Sequence, residues 1–306
     1  MAAPADPPGL PDTERPADAT VDLDLLPPSA LLDRLCAAYD AVGPAVRGAL
    51  PDLEHALEAI VPRWLAGGRL LLAGAGTSGR VAALQAAECP PTFGLPSDRV
   101  LALVAGGPAA LAMSVEGAED DAAAGRAAAE AAVLGPLDTL IAISASGGAP
   151  FVRGALAAAR AASALGVAIT QNADSALAAE ADIALVLRTG PEPVAGSTRM
   201  LAGSAQKMAL DLLTTALMVQ VGHVHGNRMV DFQPTNHKLR RRAVTTVCDL
   251  AGAEPARAEA TLVACNWRVK VAIVMAAAGC GADVARARLE AAGGRLRLAL
   301  AELPPA

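Results

Sequence analysis

A chain of 306 residues with 53% hydrophobic and only 2% aromatic content can bury a sizeable core, and it must pack that core with alanine, leucine and valine. A formal net charge of −6, with one dense basic run at Arg240-Arg241-Arg242, argues against a nucleic-acid partner and reads that run as a solvated helix face. Five scattered cysteines without a C-x-x-C pair point to a reducing compartment, and with no legible signal peptide or membrane span a cytoplasmic protein with no membrane partner is expected.

Residues 1–28 are proline-rich with no periodic apolar face, and they read as an extended arm, unstructured or lying on a partner. From Ser29 to Leu65 the spacing of Leu31, Leu35, Tyr39, Val46, Leu50, Leu53, Leu57 and Ile60 predicts amphipathic helices broken at Gly43-Pro44. Five short aliphatic runs follow: Arg69 to Ala73, Val100 to Ala105, Thr139 to Ser144, Val167 to Thr170 and Ile183 to Leu187. Alternation of such runs with alanine-rich helices predicts an α/β fold, with a parallel sheet covered on both faces. Ligands of such sheets bind beyond the carboxyl ends of the strands, which directs attention to the loops at Gly74, Gly106, Ser144 and Gln171.

After Gly196 a helical stretch runs to about Gly222, residues 227–238 are polar and turn-rich, and three alanine-rich helices are expected beyond Ala243, separated near Gly252 and Gly279 to Gly281. This organises the chain as an arm (1–28), a main domain (29–242) and a small helical C-terminal domain (243–306). His223 and His225 fall at what reads as a helix end, where they would face apart, so no metal site is expected.

Two strand-to-helix junctions carry anion chemistry. The first, Gly74-Ala75-Gly76-Thr77-Ser78-Gly79-Arg80, offers the backbone of Gly76 and Gly79, the hydroxyls of Thr77 and Ser78, and a helix N-terminus to a phosphate. Its G-x-G-x-x-G spacing also occurs in dinucleotide sites, but the next strand ends in Val104-Ala105-Gly106-Gly107 where such a site wants an acid. The second junction, Ser144-Ala145-Ser146-Gly147-Gly148-Ala149-Pro150, presents Ser144, Ser146 and the backbone at Gly147 in the same way.

Acidic residues supply candidates for proton transfer. Glu88 precedes Cys89-Pro90-Pro91 and reads as ending an alanine-rich helix, where the negative dipole end disfavours ionisation and suits a general acid. The cluster Ser114-Val115-Glu116-Gly117-Ala118-Glu119-Asp120-Asp121 holds four further carboxylates, and residue chemistry alone does not choose among them.

G-A-G-T-S-G-R, E-C-P-P-T-F-G, V-E-G-A-E-D, the S-A-S-G loop, Gly196-Ser197-Thr198-Arg199-Met200, and Thr235-Asn236 with Lys238-Leu239 occur in an order that resembles the N-acetylmuramic acid 6-phosphate etherase family over nearly the whole chain. The resemblance implies a three-layer αβα sandwich of the sugar-isomerase (SIS) type and a cytoplasmic homodimer. It implies release of D-lactate from N-acetylmuramic acid 6-phosphate to leave N-acetylglucosamine 6-phosphate in cell-wall sugar recycling, with no metal or redox cofactor. Carried over by motif, Glu88 protonates the leaving lactate, Glu119 is the second acid–base residue, and Ser197 joins the substrate-binding set. The chain departs from the pattern where the family has S-G-R-T-P, placing Gly148 and Ala149 at the Arg and Thr positions; Leu201 replaces a common Lys, His237 a frequent Glu, and Pro16 an Asn. A sugar-phosphate isomerase of the same fold, or a non-catalytic sensor similar to the glucokinase regulatory protein, are the alternatives. Neither accounts for paired E-C-P-P-T and V-E-G-A-E-D motifs.

Overall fold

Each aliphatic run becomes a strand because helices cover both of its faces. The computed structural model describes residues 11–301, so the first ten residues of the expected arm lie outside it. Five strands, β1 (Leu70–Gly74), β2 (Val100–Val104), β3 (Thr139–Ile143), β4 (Leu165–Thr170) and β5 (Ile183–Val186), pair in parallel in the order β2-β1-β3-β4-β5. Period two sorts the core. Leu71, Ala73, Leu140, Ala142 and Ala168 share one buried cluster, while Leu70, Leu72, Ile141, Ile143, Val167 and Ile169 are buried on the other face.

The helices before and within the sheet are α1 (Pro28–Ala38), α2 (Val42–Gly48), α3 (Leu50–Leu65), α4 (Gly76–Phe93), α5 (Ala122–Ala131), α6 (Pro150–Ala161), α7 (Ala176–Glu180) and α8 (Leu201–Gln220). Residues of α5, α6 and α7 fill the first cluster, and α3 packs on β5. The Gly43-Pro44 pair lies inside the start of α2, where proline is tolerated, so the break expected there falls instead at Tyr39–Ala41 and at Ala49. From residue 11 the arm is not extended: it forms three short 3-10 turns, and Thr13 is fully buried.

Strand order creates a topological switch point. From β1 the chain crosses one way to β2 and then back past β1 to β3, and right-handed crossovers place α4 and α5 on opposite faces, leaving a crevice between the carboxyl ends of β1 and β3. At the opposite end, Asp138 accepts the backbone N–H of Arg69 at 2.8 Å, its guanidinium at 2.7 Å and the N–H of Gly135 at 3.0 Å. Burial pushes the Asp138 carboxyl up, but the Arg69 and backbone hydrogen bonds outweigh it and hold it below the usual range.

The chain forms two compact units, one reaching to Ala86 and resuming over Asp98–Leu213, the other made of Ala87–Ser97 and the chain from Thr214. In the second unit α8 gives way at Gly222 to a hairpin, β6 (Val224–His225) and β7 (Arg228–Met229), so the region read as a helix end is strand. His223 Nδ1 there lies 2.8 Å from Asp231 Oδ2. Among the described residues five helices follow rather than three: α9 (His237–Ala251), α10 (Pro255–Ala264), α11 (Val269–Ala278), α12 (Ala282–Ala291) and α13 (Leu296–Ala301). The break after α10 lacks a glycine signal because Asn266 and Trp267 themselves take left-handed conformations, with φ of 53° and 59°. The boundary read at residue 242 falls inside α9, whose Arg240, Arg241 and Arg242 are exposed, Arg240 lying 4.9 Å over the ring of Trp267.

In place of aromatic bulk the first unit uses backbone proximity. A Cβ on Gly154 would stand 2.1 Å from the carbonyl oxygen of Ala122, and one on Gly125 1.9 Å from that of Phe151, so α5 and α6 touch main chain to main chain. Gly154→Ala should therefore lower stability by about 3 kcal/mol in urea unfolding. Gly48→Ala, with nothing within 4 Å of the new methyl, should be neutral or stabilise by up to about 1 kcal/mol.

Candidate active site

The crevice is built by two turns that its sequence permits. At the end of β1, a Cβ on Gly74 would stand 2.6 Å from the nitrogen of Gly79, and one on Gly79 2.7 Å from the oxygen of Gly74. Only this glycine pair lets β1 turn directly into α4, which presents the first-turn N–H groups at the switch point. Thr77 packs its methyl on Gly203, where an added Cβ would lie 2.9 Å away, and among the described residues its hydroxyl has no protein partner. The Ser78 hydroxyl, by contrast, donates to Gln206 Oε1 at 2.9 Å, and Gln206 in turn donates to Gln171 Oε1 at 3.1 Å. Ser78 therefore offers an anion its N–H more readily than its hydroxyl.

At the end of β3, Ser144 Oγ accepts the N–H of Gly147 at 3.1 Å, and Ser146 Oγ accepts that of Gly148 at 3.2 Å. Gly147 is buried against Ser175, 2.3 Å from where its Cβ would be, and shapes the loop from behind.

A third loop, which carries the expected binding residue Ser197, is held by a residue that the sequence did not single out. Glu192 is fully buried and accepts the N–H groups of Leu201 at 2.8 Å and Ala202 at 2.9 Å, capping the start of α8. Burial pushes its carboxyl above the usual range, and the two N–H groups only partly offset this. This cap holds the preceding loop so that Gly196 and Thr198 reach the crevice. Ser197, between them, spends its N–H on the Val194 carbonyl and is not among the lining residues.

Together these loops enclose a cavity of about 420 Å³ lined by Gly76, Thr77, Ser78, Ser144, Ser146 and Thr198 on the donor side, and by Glu14, Glu119 and Asp120. Among the described residues no lysine or arginine lines it, so an anion here is met by N–H groups, hydroxyls and helix N-termini. The acidic cluster is also sorted. Asp121 caps α5 by accepting the Ala124 N–H at 2.8 Å, Glu116 accepts from the Ser114 hydroxyl at 2.9 Å, and Glu119 and Asp120 face the cavity. Glu88 lies further along α4 at an exposed position of the second unit. It does not end its helix: α4 runs through Pro90 and Pro91 to Phe93, and Gly94 with φ of 67° closes it, so the terminal position on which the dipole argument rested belongs elsewhere.

Residues 52–160 match the glucokinase regulatory protein N-terminal SIS domain family, and residues 114–216 the SIS domain family. The N-acetylmuramic acid 6-phosphate etherase of Deinococcus radiodurans is 48% identical over 95% of this chain and 95% of its own. The chain belongs to the N-acetylmuramic acid 6-phosphate etherase family. Its Mycolicibacterium smegmatis relative of the same name is 44% identical over 94% of this chain and 97% of its own, so the likeness includes the helical second unit. Gly148 and Ala149, where the second phosphate-loop motif was expected to carry Arg and Thr, both line the cavity.

Gly148 is exposed, and an added Cβ there would meet the Ser146 hydroxyl only at an ordinary 3.6 Å. Gly148→Arg should place a cation in this lining without strain and tighten inorganic phosphate binding about tenfold at low salt, as read by calorimetry. Glu192→Ala should unpair two buried N–H groups and cost about 2 kcal/mol in urea unfolding. The sign of its pH dependence follows from a folded-state pKa raised above the unfolded one: the wild-type contribution is complete below the unfolded pKa and is lost as pH rises through the folded value, a slope that the variant should lack.

Proposed function

We propose that the chain removes D-lactate from N-acetylmuramic acid 6-phosphate, using the turns after β1 and β3 to hold the phosphate and Glu119 with Glu88 to move the protons. One observation carries this reading: in a member of the etherase family, the residues that can hold an anion and the carboxylate of Glu119 line the same cavity.

The chemistry follows from the bond to be broken. An ether oxygen is a poor leaving group, so the C3–O bond breaks readily only when the C2 proton is removed and the oxygen is protonated. In the open-chain sugar the C1 aldehyde acidifies the C2 proton. One carboxylate takes that proton, the C2–C3 double bond forms, and the other carboxyl delivers its proton to the departing lactate. Water then adds at C3, giving up a proton to the carboxylate just emptied, while C2 is reprotonated. The sum is one water consumed, one N-acetylglucosamine 6-phosphate and one D-lactate formed. By motif Glu88 serves the leaving oxygen and Glu119 the C2 proton.

A homodimer fits the exposed apolar residues on helices tied together by Ser78 and Gln206: Leu84 on α4, and Met208 and Leu212 on α8. The five free thiols fit a reducing cytoplasm. Among the described residues no helix is long and apolar enough to cross a membrane.

Purified wild-type protein should release D-lactate from N-acetylmuramic acid 6-phosphate. Glu88→Gln and Glu119→Gln should each lower kcat by about 10²–10⁴-fold while binding inorganic phosphate as the wild type does. Retained lactate release in either variant would remove that residue from the pair.

A further inference from the structure

We infer that Glu14, on the N-terminal segment, is a specificity-determining residue of this cavity: its carboxylate accepts a hydrogen bond from an O–H or amide N–H of the sugar, and so separates sugar phosphates from phosphate alone. The inference rests on the reading of the cavity as a sugar-phosphate site.

The segment is held in place by its neighbours. The Asp12 N–H donates to Asn172 Oδ1 at 3.1 Å, the Thr13 carbonyl accepts the N–H of Gly196 at 3.0 Å, and the Thr13 side chain is fully buried. These anchors hold the two residues that precede Glu14, and Glu14 lines the cavity with Glu119. Gly196 makes room for it. With φ of 74°, Gly196 presents its bare face to Glu14, whose Oε2 is 2.9 Å from where a Cβ would stand.

Among the described residues no cation, N–H or hydroxyl is paired with this carboxylate. It is an acceptor with open lone pairs, in a cavity whose other wall is made of donors. A phosphate bound by the donor wall would be repelled by Glu14, whereas the neutral part of a phosphorylated sugar carries the donors that Glu14 lacks. The carboxylate therefore contributes nothing to holding the phosphate and favours a ligand with a polyhydroxylated or acylamino body.

The test uses the full chain as wild type, Glu14→Ala and Glu14→Gln, with calorimetric binding of N-acetylglucosamine 6-phosphate, glucose 6-phosphate and inorganic phosphate, beside KM and kcat for lactate release. Glu14→Ala should weaken N-acetylglucosamine 6-phosphate binding, and raise KM, by about tenfold or more, while inorganic phosphate binds unchanged or slightly tighter. Glu14→Gln keeps an acceptor oxygen and should fall between wild type and Glu14→Ala. Equal losses for the two sugar phosphates assign the donor to a hydroxyl, and a loss confined to the acetamido sugar assigns it to the amide N–H. Parallel weakening of sugar phosphate and inorganic phosphate, with a lowered Tm, would reduce Glu14 to a structural part of the wall, and unchanged sugar-phosphate binding would overturn the inference. A wild type that binds sugar phosphate without releasing lactate would remove the proposed reaction and leave the Glu14 comparison readable. A wild type that binds phosphate but no sugar phosphate would overturn both.

Discussion

The close approach of Gly74 and Gly79 is the constraint on which the site depends. Any side chain at either position would drive the start of α4 off the end of β1, since the nearest atoms are main chain and cannot move aside. With the two glycines in place, α4 begins directly over the carboxyl edge of the sheet and its first-turn N–H groups open onto the switch point between β1 and β3. Ser78 then reaches Gln206, and the chain of amides to Gln171 joins the edge of β4 to the start of α8. Glu192 completes the arrangement by capping that helix from below the loop that carries Gly196 and Thr198.

The electrostatics of the cavity follow from this construction. With neutral donors and the carboxylates of Glu14, Glu119 and Asp120 lining one cavity, a phosphate there would be met by direction more than by charge, and in the proposed reaction the reacting carbons face the carboxylates. That division suits the proposed elimination, which needs groups that exchange protons, and the uncharged Gly148 in the lining accentuates it.

How much of this was legible depends on how local each cause is. A strand buried on both faces reads as an unbroken aliphatic run, and the five runs match the five strands to within a residue or two at each end. The turns after β1 and β3 were equally plain, because glycine and hydroxyl residues at a strand-to-helix junction have a local meaning. Glu192 was invisible because its role comes from N–H groups of Leu201 and Ala202 that only the fold brings to it. Glu14 was hidden in a proline-rich stretch that reads as an arm, since nothing local signals that Thr13 is buried beneath Gly196. The helical region was under-divided because Asn266 and Trp267 adopt a conformation usually announced by glycine, and α4 was cut short because Pro90 and Pro91 announce an end that the helix postpones to Gly94.

The most direct measurement is isotopic. With N-acetylmuramic acid 6-phosphate turned over by the wild-type protein in ¹⁸O-enriched heavy water, elimination followed by hydration places ¹⁸O on C3 and deuterium on C2 of the N-acetylglucosamine 6-phosphate, and leaves the lactate hydroxyl unlabelled. Label in the lactate hydroxyl, with C2 retaining its original hydrogen, would mean attack on the lactyl carbon and would contradict the roles given to the carboxylates.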